Sequence, residues 1–138
     1  MGGGMTVKEA LHHGLAGFMR RNSMDMSTAM SDGTIVLEVD KKYRIFCRQA
    51  PHGDLILEVR LCDLPEQSQI ADEWIARALH KSWARIRDFS DVPVLSEDGN
   101  YIFLHQRIIS DATVDEFEKS LEQFANSIID WRRTYGLL

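Results

Sequence analysis

Apolar and polar residues repeat with two different periods along this chain, and the two periods separate helices from strands. Three runs place an apolar residue every three to four positions, as amphipathic helices do: 7–20, 67–89 and 114–135. Three shorter runs alternate with a period of two, as strands do: 35–40, 43–48 and 55–62. An Asp98-Gly99 turn between 94–96 and 101–109 adds a β-hairpin. The order predicts an α+β fold: helix, three-stranded antiparallel meander, helix, β-hairpin and C-terminal helix.

Two of the predicted helices begin with a capping box. Thr6 precedes Glu9 by three positions at the first helix, and Thr113 precedes Glu116 in the same way at the last. In such a box the hydroxyl and the carboxylate each accept a hydrogen bond from a backbone amide that the helix leaves without a partner. The two helices are therefore predicted to start directly after these threonines, and Gly136 is typical of the stop of the last one.

The apolar face of the meander predicts its register. If the second and third strands pair so that partner numbers sum to about 104, Cys47 lies opposite Leu57 on one apolar face. A shift by one position would place Arg48 beside Leu57, which buries a charge or exposes a leucine. By the same reasoning Leu37 is expected to pair with Ile45 across the first turn.

The opposite face of the meander mixes apolar residues with charged ones. Val36, Phe46 and Ile56 come from three neighbouring strands and are expected to form a row among arginines and glutamates. Scattered apolar residues are common on protein surfaces, so one interpretation gives this row no role. The other interpretation is a half-polar patch that docks an extended peptide. The pattern leaves both open.

Composition narrows the class of protein. The 138 residues carry 16 Lys and Arg against 21 Asp and Glu, a net charge of −5. We expect one domain over 6–138 and no nucleic-acid partner, since phosphate binding needs a basic surface. Residues 1–5 are expected to be a flexible leader or a cloning remnant. Neither a run of about 20 apolar residues nor a secretory signal occurs, so a cytoplasmic protein without a membrane partner is expected.

Residue types that carry catalysis or bind metals are sparse and scattered. His12 and His13 are adjacent, so on a helix they point about 100° apart and cannot share a metal. Cys47 and Cys62 are too few for a structural zinc site, and the register above places them on opposite faces of the sheet. We therefore predict free thiols, no catalytic residue, no metal site, no cofactor and no enzymatic activity. An enzyme whose site is assembled from distant residues is the remote alternative.

The second helix carries an unusually wide apolar stripe, which includes Trp74 and Trp83. A helix of this kind in a small domain is expected to be covered on two sides. The sheet provides one cover, and a second subunit is a candidate for the other.

A resemblance to a known family is most specific in the last third of the chain. After Pro93 come a short strand, an acidic-Gly turn, a strand with a Gln106-Arg107 step, and a helix that ends in Trp131-Arg132. In these features the chain resembles the class I type III secretion chaperones, the CesT/SycE-like Tir chaperone family. The first two thirds agree with that family in layout rather than in residues.

The resemblance implies a homodimer without a cofactor in the bacterial cytoplasm, which holds the N-terminal segment of a secreted effector protein extended and competent for export. It implies a dimer interface on the second helix and the late hairpin, here Trp74, Ile75, Ala78, Leu79, Ser82, Ile86, Tyr101 and Phe103. It also implies effector contacts on the first helix and first strands, here Leu11, Leu15, Phe18, Val36, Phe46 and Ile56. The alternative is a protein of the same fold that acts as a regulatory or stress-related interaction module without a secreted client.

Overall fold

The computed structural model describes residues 11–24, 32–39 and 41–137, and within them the elements follow the predicted order. The elements are α1 (His13–Arg21), β1 (Ile35–Val39), β2 (Tyr43–Gln49), β3 (Leu55–Asp63), α2 (Ser68–Arg85), β4 (Asp91–Leu95), β5 (Tyr101–Ile108) and α3 (Val114–Thr134). The α+β prediction is confirmed. The predicted leader at 1–5 lies outside the described residues.

All five strands belong to one antiparallel sheet in the order β1-β2-β3-β5-β4. The late hairpin therefore extends the meander, because β5 pairs along β3. The predicted register is confirmed: Cys47 lies opposite Leu57, and Leu37 lies opposite Ile45. Period-two patterning determines this register because a slip by one position would turn every apolar side chain to the other face.

The core lies between one face of the sheet and the helices. Every strand of the meander directs its buried side chains to this face, where they meet α1 and α3. Four large side chains of α3 are fully buried in it: Phe117, Phe124, Ile128 and Trp131. Burial of one such side chain contributes about 1.5–3 kcal/mol, so α3 anchors the helical layer.

The first helix begins later than its pattern suggests. The predicted capping box at Thr6 and Glu9 lies outside the described residues, and α1 begins at His13, with His12 as its N-cap. The prediction that Leu11 and His12 lie inside the helix is therefore wrong. Histidine is not one of the usual capping residue types, but here its ring nitrogen replaces a side-chain oxygen as the acceptor.

The last helix begins and ends where its pattern predicts. Thr113 and Glu116 form the expected capping box, since each side chain accepts from the other's backbone amide. The helix stops before Gly136, whose φ of +69° suits a residue without a side chain. The second helix ends at Arg85 rather than at Phe89, and the strand that follows starts at Asp91, three positions before the predicted hairpin strand.

A β-bulge changes the sheet faces near the end of β3. The pairing of β3 with β5 shifts between Arg60 and Cys62, so Cys62 lies opposite the buried Ile102. Cys47 and Cys62 are both free and both belong to the core cluster. The prediction of free thiols is confirmed, but their assignment to opposite faces is wrong, because the extra bulge residue reverses the alternation.

Candidate partner-binding surfaces

The first candidate surface, here called the outer sheet face, is the side of the sheet turned away from the helices. Val36 lies directly opposite Phe46 in the β1–β2 pair. Ile56 lies opposite Arg48 in the β2–β3 pair, two positions along from the partner of Phe46. All three apolar side chains are half-buried. The predicted row therefore exists on three adjacent strands, with Ile56 offset diagonally.

Cross-strand ion pairs neutralise much of the charge around this row. The carboxylate of Glu58 accepts from Arg48 at 3.0 Å and from Nε2 of His105 at 2.8 Å. Asp54 accepts from Arg107 at 2.6 Å, and this bond lowers the pKa of the Asp54 carboxyl from its usual range. These charges are already paired, so new contacts to them would add little binding free energy. A partner that covers the outer sheet face would therefore gain most of its binding free energy from burying the apolar row.

The effector-contact residues predicted for the first helix, namely Leu11 just before α1 and Leu15 and Phe18 within it, differ in exposure from those on the sheet. Leu11 and Leu15 are buried in the core, facing away from solvent. Phe18 is half-buried, with its ring centroid 5.3 Å from that of Phe117. Of the six predicted residues, the structure brings together the three on the strands and leaves Phe18 as the accessible one on α1.

The second candidate surface is an exposed apolar stripe along α2 and its C-cap residue Ile86, here called the α2 stripe. Leu79, Trp83 and Ile86 are spaced by four and three positions, and 68%, 80% and 69% of their surfaces are exposed. In this helix only Ala78 is fully buried. The solvent-facing side of a helix is usually polar, and a cluster of large exposed apolar side chains is typical of a contact surface.

The α2 stripe continues onto the edge strand β4. Leu79 and Leu95 line a cavity of about 100 Å³ together with Ile75, Ala78, Pro93, Val94 and Ile102. Val92 and Leu95 on this strand are themselves exposed. Sequence reasoning placed Trp83 in the apolar stripe of the second helix but left it out of the predicted interface set, although its spacing from Leu79 fits that set, and it missed Val92 and Leu95 as interface candidates.

The other predicted interface residues lie away from the stripe. Trp74 stacks on Tyr135 with ring centroids 4.8 Å apart, and its backbone oxygen accepts from the Tyr135 hydroxyl. Ser82 is half-buried. Tyr101 and Phe103 lie on the outer sheet face, since Phe103 is opposite Arg60. The residues predicted for the dimer interface therefore lie in three places: on the α2 stripe, on the outer sheet face and in the contact between α2 and α3.

A buried polar cluster holds α2 in place and directs its stripe outward. Arg85 donates to both carboxylate oxygens of Asp91, at 2.9 and 3.1 Å, and to Asp130 at 2.7 Å. Asp91 also accepts from Ser127 and from the indole N–H of Trp131. These polar contacts attach the end of α2 to β4 and α3. The α2 stripe takes no part in this attachment and stays available to a partner.

Groups with chemical reactivity do not gather into a site in the described residues. No group of three or more metal-ligating side chains occurs in the part of the chain that the structure describes. Burial raises the pKa of the Cys47 thiol to about 12 and that of Cys62 to about 11, which keeps both protonated and unreactive at neutral pH. Within the same residues, no helix has the length and apolar character needed to cross a bilayer.

Comparison with known proteins identifies relatives of this architecture. Residues 13–132 match the family model of the Tir chaperone protein (CesT) family. A Chlamydia pneumoniae protein, CPj0713/CpB0740, is 25% identical over 107 residues, which span 78% of this chain and 81% of that protein.

Solved structures share the fold at low sequence identity. A chain of the ExsC–ExsE complex matches with a TM-score of 0.66 and 17% identity, over 92% of this chain and 91% of that one. A chain of the HopA1–SchA chaperone–effector complex matches with a TM-score of 0.63 and 17% identity, over 85% and 88% of the two chains. A chain of the ExoU–SpcU heterodimer from the type III secretion system of Pseudomonas aeruginosa matches with a TM-score of 0.62 and 12% identity, over 86% and 94%.

Proposed function

This chain belongs to the Tir chaperone protein (CesT) family, and from that premise we propose that it is a type III secretion chaperone. It binds the N-terminal segment of a secreted effector in extended form and keeps that segment competent for export. Two structures of the same fold are a chaperone–effector complex and a complex from a type III secretion system, which supports this class of partner. The work of such a protein is binding rather than catalysis, since its family is one of chaperones.

The observation that carries the proposal is the apolar row on the outer sheet face. Val36 and Phe46 are directly paired, and Ile56 continues the row onto β3. An extended segment points every second side chain to one side, so it can place successive apolar residues along such a row. Paired charges around the row add little sequence preference of their own, which suits a surface that binds an unfolded segment.

The α2 stripe supports a homodimer as the working form. In a two-fold dimer the same patch faces itself, so the exposed Leu79, Trp83 and Ile86 of one copy would cover those of the other. The adjoining edge strand extends this patch through Leu95. One dimer then presents two outer sheet faces to a single wrapped segment in the bacterial cytoplasm.

Affinity capture from the source bacterium tests this function. Wild-type protein is expected to retain a secreted effector, with one effector for two chaperone chains, and limited proteolysis should protect the N-terminal segment of that effector. Phe46→Asp is expected to lose the effector, because it places a charge in the middle of the apolar row. The matched control is Phe89→Asp, which makes the same change at an exposed phenylalanine beyond the end of α2.

Two outcomes would contradict the proposal. One is equal retention of the effector by wild type and by Phe46→Asp, with circular dichroism showing the variant folded. The other is protection of a folded domain of the effector instead of its N-terminal segment. No feature of the described residues favours the alternative of a regulatory or stress-related module without a secreted client.

A further inference from the structure

His12 closes the N-terminal end of α1 with an imidazole in one particular tautomer. Nδ1 accepts hydrogen bonds from the backbone amides of Gly14, at 3.1 Å, and Leu15, at 3.3 Å. Nε2 lies 2.5 Å from the carbonyl oxygen of Ile109, to which it donates. The side chain is buried. Because Nδ1 must offer a lone pair while Nε2 carries a proton, this arrangement requires a neutral imidazole.

The hydrogen bond to Ile109 also attaches α1 to the loop between β5 and α3. At the other end of the helix, Arg21 donates to Asp115 at 2.9 Å and to Glu118 at 2.7 Å, both on α3. Between these ends the two helices approach closely at Gly14. His12 therefore fastens the N-terminal end of α1, as Arg21 fastens its C-terminal end.

We infer that His12 is an acid-sensitive latch, and that a proton on Nδ1 releases the N-terminal end of α1 from the β5–α3 loop. An imidazolium has two N–H donors and no acceptor, so it cannot receive the amides of Gly14 and Leu15. Its positive charge would also lie at the positive end of the helix dipole. Both effects favour release as the pH falls.

Charged groups of the described residues do not offset this effect. Within residues 11–24, 32–39 and 41–137, the groups that hydrogen-bond to the imidazole or pack on it are uncharged: two amides, one carbonyl and the ring of Phe117, whose centroid is 6.3 Å away. Asp111 in the β5–α3 loop is exposed, so solvent screens its charge. The carboxylates of α3, Asp115 and Glu118, are already paired with Arg21.

Release of the latch would alter one part of the proposed effector surface. α1 carries Phe18, whose half-buried ring packs on Phe117. Release of the N-terminal end of α1 would loosen this packing. The position of the Phe18 ring, which is part of the proposed effector surface beside the sheet, would then change. This consequence rests on the proposed function, whereas the latch itself is a property of the isolated protein.

Two measurements on the full chain, without any effector, test the latch. Imidazole nitrogen NMR at about pH 7.5 should show a neutral His12 with its proton on Nε2. Hydrogen exchange of the α1 amides should lose about tenfold protection between about pH 7.5 and 5.5, because a proton on Nδ1 removes the acceptor for the amides of Gly14 and Leu15. His12→Asn keeps a capping oxygen that does not titrate in this range, so its α1 protection should not change with pH. His13→Asn, at the exposed neighbouring histidine, is the control and should behave as wild type.

The latch is overturned if the NMR spectra place a proton on Nδ1 of His12 at about pH 7.5. It is equally overturned if α1 protection is the same at both pH values in wild type, or falls to the same extent in His12→Asn. The NMR result needs no variant, so it stands even if His12→Asn folds poorly. These failures would leave effector capture unaffected, which keeps this inference separate from the proposed function.

Discussion

Asp91→Ala is expected to lower the free energy of unfolding by about 3–5 kcal/mol, because it leaves the buried charge of Arg85 without its buried carboxylate partner. The side chains of Asp91 and Arg85 are only 2% and 11% exposed, so water cannot replace the lost carboxylate. The same substitution removes the acceptor for Ser127 and for the indole N–H of Trp131. Asp130 remains bound to Arg85 and keeps the loss from exceeding this range.

The expected loss is large on the scale of a whole domain. Domains of this kind are stable by about 5–15 kcal/mol in total, so the variant would lose roughly a fifth of its stability or more. With an unfolding entropy of about 2.1 cal/mol/K per residue, the same loss corresponds to a fall in Tm of about 10–17 °C.

Urea unfolding followed by circular dichroism measures this effect, with all proteins at one concentration because dissociation of the proposed dimer would contribute to the transition. Asp88→Ala removes an exposed aspartate close by and should change stability by less than about 0.5 kcal/mol. The double variant Arg85→Met/Asp91→Ala should lose less than the sum of the single losses, since it removes the stranded charge as well. The reasoning is refuted if Asp91→Ala loses under about 1 kcal/mol, or if the two substitutions are additive within about 0.5 kcal/mol.

Three further substitutions or treatments follow from the packing. Trp83→Asp should shift the protein from dimer to monomer, as measured by light scattering. Its helix content should stay unchanged, because Trp83 is 80% exposed. A persistent dimer would contradict the role of the α2 stripe. Gly17→Ala would place a Cβ 2.1 Å from Val114 and should cost about 1–3 kcal/mol in urea unfolding, with substantial recovery in Gly17→Ala/Val114→Ala as the check. The thiols of Cys47 and Cys62, whose pKa values burial raises to about 12 and about 11, should resist alkylation at about pH 8 until urea is added, and rapid labelling of the folded protein would disprove their burial.

Periodicity predicted those parts of the fold in which one repeat runs unbroken. The register of β2 on β3 followed from apolar alternation, because each strand buries one face only. The limits of α3 followed from the Thr113 capping box and from Gly136, which act locally and need no tertiary contact. The row of Val36, Phe46 and Ile56 was predictable for the same reason as the register.

Tertiary contacts produced the features that pattern reasoning missed. His12 caps α1 partly because Ile109, far along the chain, accepts a hydrogen bond from its other ring nitrogen, Nε2. From the sequence alone, Asp91 is expected in a polar loop. In the structure it is buried because Trp131 and Arg85 donate hydrogen bonds to it, and these contacts place it in β4, which therefore starts early. No turn residue beside Cys62 indicates the bulge in the sequence. The burial of Leu11 and Leu15 depends on the close approach of α1 to α3.

A distance measurement within the bound effector tests the central claim most directly, namely that the chaperone dimer holds its guest segment extended. Two spin labels are placed ten residues apart in the protected N-terminal segment of the captured effector, and their separation is measured by pulsed EPR. An extended segment gives a backbone separation of about 33 Å. A helical segment gives about 15 Å, and that value in the bound complex would contradict the account.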